Sequence, residues 1–162
     1  MGLFGHRKVN IEEIYDRYAD MLYRLALSHL QNPDDAQDAV QDVFAKFLSD
    51  TPSFKTGDHE KAWFIRVTIN QCRDSLRKSK VRSFVPLEDI SGEAASTGES
   101  GTWEIMKTLN GIPDTLRDVI VLHYLEGYSV EKTAEILNLS ESAVKMRLKR
   151  GREALKNKFQ EE

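Results

Sequence analysis

Lys145 and Lys149 stand one helical turn apart in a stretch that holds seven bases (Lys145, Arg147, Lys149, Arg150, Arg152, Lys156, Lys158) against one acid, Glu153. Cations repeating along one helix face are chemistry for a polyanion: lysine and arginine reach phosphates, and a few of them reach base edges. A second basic block, Lys61 to Arg82, also carries seven bases (Lys61, Arg66, Arg73, Arg77, Lys78, Lys80, Arg82) and one acid, Asp74. Trp63, Phe64 and Asn70 lie inside it, and aromatic, amide and cationic groups together suit splayed single-stranded bases, which stack and hydrogen-bond. Trp63 and Phe64 equally suit a core, and burial is the expectation for Trp63. From Glu12 to Asp50 the sign reverses, with nine acids (Glu12, Glu13, Asp16, Asp20, Asp34, Asp35, Asp38, Asp42, Asp50) and three bases (Arg17, Arg24, Lys46). Two basic blocks and one acidic block predict two polyanion contacts and a separate partner surface. Catalytic chemistry is not expected, because no nucleophile–base pair and no glycine-rich phosphate loop stands out. One cysteine, Cys72, excludes an internal disulfide and a multi-cysteine zinc site. The four histidines (His6, His29, His59, His123) have no ligand spacing, so neither a metal nor a cofactor is expected.

These groups must be held by a chain of 162 residues, 40% of them apolar, enough for one ordinary domain or two small ones. No apolar run reaches the length of a membrane span. Met1 to Lys8 lacks the apolar segment and cleavage site of a secretory signal, so a cytoplasmic protein is expected.

Apolar spacing is helical nearly throughout and predicts an all-α fold. Asn10, with Glu13 three positions on, starts a first helix whose face is Ile11, Ile14, Tyr18, Met21, Leu22 and Leu25. Asn32 caps a second, with Pro33 in its first turn and a buried face running from Ala36 through Phe44 and Phe47 to Leu48. Thr51 to Asp58 reads as a loop, and a third helix runs from about His59 to Lys80. Glycines, serines and acids without periodicity between Val81 and Gly101 predict a flexible, extended linker, and hence two domains. Beyond it come a short helix from Thr102 to Leu109, one opened by Pro113 and ended by Gly127, one capped by Ser129, and a last one capped by Ser140. The final stripe is Val144, Leu148, Gly151, Leu155 and Phe159. Ser129 to Lys156 thus has the shape of a helix-turn-helix, with Asn138 fit for the left-handed turn and Ala134 small at the crossing. A basic hairpin that binds protein fits the same segment.

With these residues in place, the chain resembles an extracytoplasmic-function sigma factor, a class of bacterial RNA polymerase sigma factors. The resemblance rests on the run from Asp34 to Phe44, on Ala62-Trp63-Phe64-Ile65-Arg66 through Asn70 to Arg77, on Ile112-Pro113, on Leu122 to Ser129, on Ala134 to Leu137, and on Ser140 to Arg152. It implies two small helical domains joined by a flexible linker. Residues 8–82 would be a region 2-like domain, 83–101 an acidic linker, and 102–162 a region 4-like helix-turn-helix domain. Asp38, Gln41, Asp42, Phe44 and Leu48 would dock on core polymerase. Lys61, Trp63, Arg66, Asn70, Arg73 and Arg77 would open and hold the minus-ten element. Ser140, Ser142, Lys145, Met146, Arg147, Lys149, Arg150 and Arg152 would read the minus-thirty-five element. The implied partners are core RNA polymerase, promoter DNA and an anti-sigma factor, with no small-molecule substrate, no membrane insertion and no enzymatic activity of the chain's own. Gln37 stands where the family usually has an acid, and Met146 where many members have a small residue. A helix-turn-helix regulator with a helical sensor domain is the competing reading, and would bind duplex DNA without polymerase.

Overall fold

The computed structural model of the chain describes residues 10–82 and 100–160, and every regular element among them is helical. In order they are α1 (Ile11–Leu30), α2 (Pro33–Asp50), α3 (Gly57–Arg82), α4 (Ser100–Leu109), α5 (Asp114–Ile120), a π-helical turn (Val121–Leu125), α6 (Val130–Leu137) and α7 (Glu141–Gln160).

Local chemistry explains most of the boundaries. Asn10 Oδ1 accepts from the amides of Glu12 and Glu13, and Asn32 Oδ1 from that of Asp35, so three donors that no helix can satisfy internally gain partners. Pro33 sits at the first position of α2, where its missing N–H costs nothing. Ser129 and Ser140 do the same work for α6 and α7, accepting from Lys132 and Ala143. Asn138 ends α6 in the left-handed region at φ 56°, as the turn requires. α3 begins at Gly57, two residues earlier than its spacing suggests, because Thr56 Oγ1 accepts from the His59 amide and shortens the loop. α4 likewise starts at Ser100, so the last two positions of the expected linker are helical; the rest of that segment lies outside the described residues.

α1, α2 and α3 pack on one another around Leu22, Leu25, Val43, Phe64 and Ile65, all almost completely buried. Phe64 lies at the centre of an aromatic cluster with Tyr18, Phe44, Phe47 and Trp63, at ring-centroid distances of 4.7 to 5.3 Å. The Tyr18 hydroxyl donates to Glu60 Oε1 at 2.6 Å, and burial together with that carboxylate pushes its pKa up to about 12. Cys72 is fully buried on the same side of α3, and desolvation raises its thiol to about 12, so it packs rather than reacts. In the second half α7 crosses α5 and α6 over Val144, Leu148 and Gly151. Arg117 is buried too. Its guanidinium donates to the carbonyls of Leu109 and Ile112 and so fixes the α4–α5 turn, while burial lowers its pKa.

Two expectations change. Leu48 is 56% exposed and Phe159 64% exposed, so neither continues a buried stripe. The helix opened by Pro113 does not run on as α: it widens into a π turn, with the Glu126 amide bonding back five residues to Val121. The sequence leaves the arrangement of the two halves open; in the structure they pack together, α6 lying on α3 and both α4 and α5 on α1.

Gly151 tests the packing of α7. A Cβ there would run into the Cδ1 of buried Ile120 and stand 3.0 Å from its Cγ1. Overpacking of about 1–3 kcal/mol exceeds the roughly 1 kcal/mol that alanine gains over glycine inside a helix. Gly151→Ala is therefore expected to lower the urea midpoint at unchanged slope; an equal or higher midpoint would show that Ile120 moves aside freely.

Candidate nucleic-acid interfaces

Ser140 starts α7, and its buried stripe decides what faces out. With Val144 and Leu148 turned inward, Ser142, Lys145, Met146, Lys149 and Arg150 are exposed, and Arg147 is half-buried at their side. Met146 is 52% exposed, an apolar side chain amid cations. Arg152 is exposed as well, and its Nη1 donates to the Tyr124 hydroxyl at 2.9 Å. Tyr124 comes from the π turn and is missing from the sequence-based set; no periodicity marks it, because the π turn rotates it away from the α5 stripe. The exposed N-terminal half of α7, carried on a capped turn and backed by α6, is the geometry that enters a major groove.

The basic face of α3 is arranged differently. Asn70 and Arg77 are exposed, with Arg77 paired to Asp74 at 3.1 Å. Trp63 is half-buried and meets Phe47 and Phe54 edge-on at 5.9 and 6.0 Å, in line with the packing expectation. The ammonium of Lys61 lies over the Tyr128 ring, 5.1 Å from its centroid. Arg66 Nε donates to the Ile136 carbonyl at 2.6 Å and Nη2 to that of Glu135 at 3.2 Å. Arg73 Nη2 reaches Asp118 Oδ2 at 3.4 Å. Four of the six α3 candidates are thus engaged by packing or by the second half of the chain.

On α2 the residues Asp38, Gln41, Asp42 and Leu48 are exposed. Asp42 Oδ2 accepts from Gln71 Nε2, which ties this face to α3. Burial, together with the carboxylates of Asp38 and Asp34, pushes the Asp35 carboxyl above its ordinary range. Phe44 is in the core, 6% exposed, and Tyr15 of α1, 46% exposed, packs against it with the rings tilted by 48° and their centroids 5.0 Å apart. Phe44 is thus not exposed as a docking residue would be, and the exposed ring at this place is Tyr15, which lies beside the α1 stripe rather than on it.

Comparison with known proteins decides the family. Residues 14–82 match Sigma-70 region 2 and residues 102–155 match Sigma-70, region 4. The ECF RNA polymerase sigma factor SigM of Mycobacterium tuberculosis is 31% identical over 145 residues, covering 89% of this chain and 74% of that protein. The chain belongs to the extracytoplasmic-function RNA polymerase sigma factors. SigW of Bacillus subtilis, another ECF sigma factor, is 30% identical over 92% of this chain and 88% of its own. The sigma factor RpoE of Bartonella quintana, solved in complex with the anti-sigma factor NepR, superposes with a TM-score of 0.68 at 26% identity, covering 92% of this sigma factor and 98% of that chain.

The α7 face of this sigma factor yields a direct test. Lys145→Ala and Lys149→Ala are each expected to weaken duplex binding by about 1–3 kcal/mol on a preferred sequence and by much less on others, if they reach base edges. Fluorescence anisotropy across a duplex library measures it. An equal loss on all sequences, with a shallower salt dependence, would assign them to phosphate.

Proposed function

We propose that this sigma factor binds core RNA polymerase through α2, holds the upstream promoter element with α7, and opens the minus-ten element with α3 and the loop before it. In this reading residues 8–82 and 102–162 are the two functional domains and 83–101 the connection between them. The observation that carries the division of labour is the separation of sign on exposed helix faces: Asp38 and Asp42 with Gln41 on α2, and Lys145, Lys149 and Arg150 on α7. A polyanion is attracted to the second and repelled by the first, so DNA and a protein partner of opposite character are steered to different places.

Two modest DNA contacts suffice, because polymerase holds both surfaces at once and the second contact becomes intramolecular. Unstacking the opened bases costs a few kcal/mol per step, by order of magnitude, and capture of a splayed base offsets part of that. Bond-making in RNA synthesis belongs to polymerase, and this chain contributes binding and placement, in the cytoplasm where polymerase works. The complex of the Bartonella quintana relative with NepR supports an anti-sigma factor as a further partner.

Run-off transcription with purified core polymerase on a promoter library tests the whole reading: the sigma factor is expected to create defined starts that core enzyme alone lacks. Asp38→Lys and Asp42→Lys are each expected to weaken co-purification with core polymerase, by roughly tenfold at low salt and less as salt screens the contact. Unchanged co-purification of both would remove α2 as the docking face.

A further inference from the structure

Arg17, Arg24, Arg73, Arg77 and Arg117 each meet a carboxylate. Arg152 meets none among the described residues. Its Nη1 donates instead to the Tyr124 hydroxyl at 2.9 Å, and both side chains are exposed, Tyr124 by half. A carboxylate partner would compete with an incoming anion and cancel the charge of the guanidinium. A hydroxyl fixes the direction of one N–H and leaves the positive charge whole.

What the pair leaves over is chemistry for a phosphate. A guanidinium has five N–H donors and gives one to Tyr124, and the hydroxyl that accepts it keeps its own proton to donate. Donors this close together can serve the oxygens of a single phosphate. Two separate elements set the place. Arg152 follows Lys145 by seven positions and Lys149 by three, so the three cations share one face of α7. Arg152 stands about 10 Å further along the axis than Lys145. With the N-terminal half of α7 in a groove, Arg152 therefore comes to the sugar–phosphate wall. Tyr124 arrives from the π turn, where the His123 ring meets it edge-on at 4.9 Å and is itself held by Nδ1 donating to the Tyr128 carbonyl at 2.7 Å.

We propose that Tyr124 and Arg152 together clamp one DNA phosphate beside the upstream element, the arginine supplying the charge and the tyrosine hydroxyl aiming it and adding a second donor. The proposal rests on the assignment of α7 to that element. A phosphate contact carries no sequence information of its own, so the clamp fixes the position of α7 on the duplex and strengthens binding to all sequences alike.

The test uses the full chain and fluorescence anisotropy on two duplexes, a preferred sequence and its scramble, through a potassium chloride series. Tyr124→Phe keeps the ring and its contact with His123. It is expected to weaken binding to both duplexes about threefold and to leave the salt dependence as it was, since no charge is removed. Arg152→Ala is expected to weaken both about tenfold and to flatten the slope of log affinity against log salt by about one. The double variant Tyr124→Phe/Arg152→Ala is expected to lose less than the product of the two single losses, because both changes dismantle one contact. A readout on the DNA side separates the clamp from a merely structural role. A single uncharged methylphosphonate is moved along each strand of the preferred duplex. One position is expected where it weakens wild-type binding about tenfold and binding of both single variants markedly less.

Tyr124→Phe binding as wild type does, single losses that multiply in full, or variants whose methylphosphonate profiles match that of wild type would overturn the clamp. The same titrations with Lys145→Ala and Lys149→Ala keep the two ideas apart. If those variants bind weakly while Tyr124→Phe does not, the clamp alone falls. If all four single variants bind every duplex as wild type does, the assignment of α7 falls with it.

Discussion

A carboxylate held out of water sets the terms for much of this fold. Asp118 sits in α5 with its side chain only 4% exposed, and a buried charge costs several kcal/mol, as an order of magnitude, unless it is paired and hydrogen-bonded. Its partners come from the other half of the chain, His29 at the end of α1 and Arg73 in the middle of α3. The position of α5, and of the helix-turn-helix built on it, is therefore coupled to the three-helix unit by electrostatics as well as by packing. The coupling is tight but not saturated, since His29 Nδ1 is buried without a hydrogen-bond partner. The charge of Asp118 also adds to the burial that keeps the neighbouring Cys72 a neutral thiol.

Both candidate binding faces stand on rigid helices rather than loops. α7 is backed by α5 and α6, with Gly151 letting it approach Ile120 closely, so its basic side chains share one frame. The acidic face of α2 is backed by the Phe64 aromatic cluster and tied sideways to α3 through Asp42 and Gln71. A rigid base matters for recognition, because less ordering is lost when the partner arrives.

The parts legible in the sequence were those written in short-range chemistry. Asn10, Asn32, Ser129 and Ser140 cap as their types and positions suggest, Asn138 turns left-handed, and the stripes of α1 from Ile14 and of α7 as far as Gly151 are buried. The contacts that join the halves were not legible. Arg66 meets residues about seventy positions away, and nothing in a helical repeat tells an exposed arginine from one that has found two carbonyls. Leu48 and Phe159 failed for different reasons: Leu48 is turned about 100° from the buried Phe47 and so leaves the stripe, whereas Phe159 keeps the phase of Val144 and Leu148 but lies at the far end of α7, where it is exposed. Phe44 and Tyr15 show the limit from the other side, since which of two touching rings faces outward depends on how α1 lies on α2.

The π turn from Val121 to Leu125 makes the chain sensitive to its own length at one place. A π turn houses one more residue than the α-helix around it. Losing a single residue there would let α5 run straight on, and each residue of an α-helix turns the chain by about 100°. Glu126 and Tyr128, and the whole helix-turn-helix after them, would then leave α5 facing a different direction. In natural variants of this sequence, substitutions within that turn are therefore far more tolerable than a deletion of the same size, because they change a side chain and not the angle at which everything downstream departs.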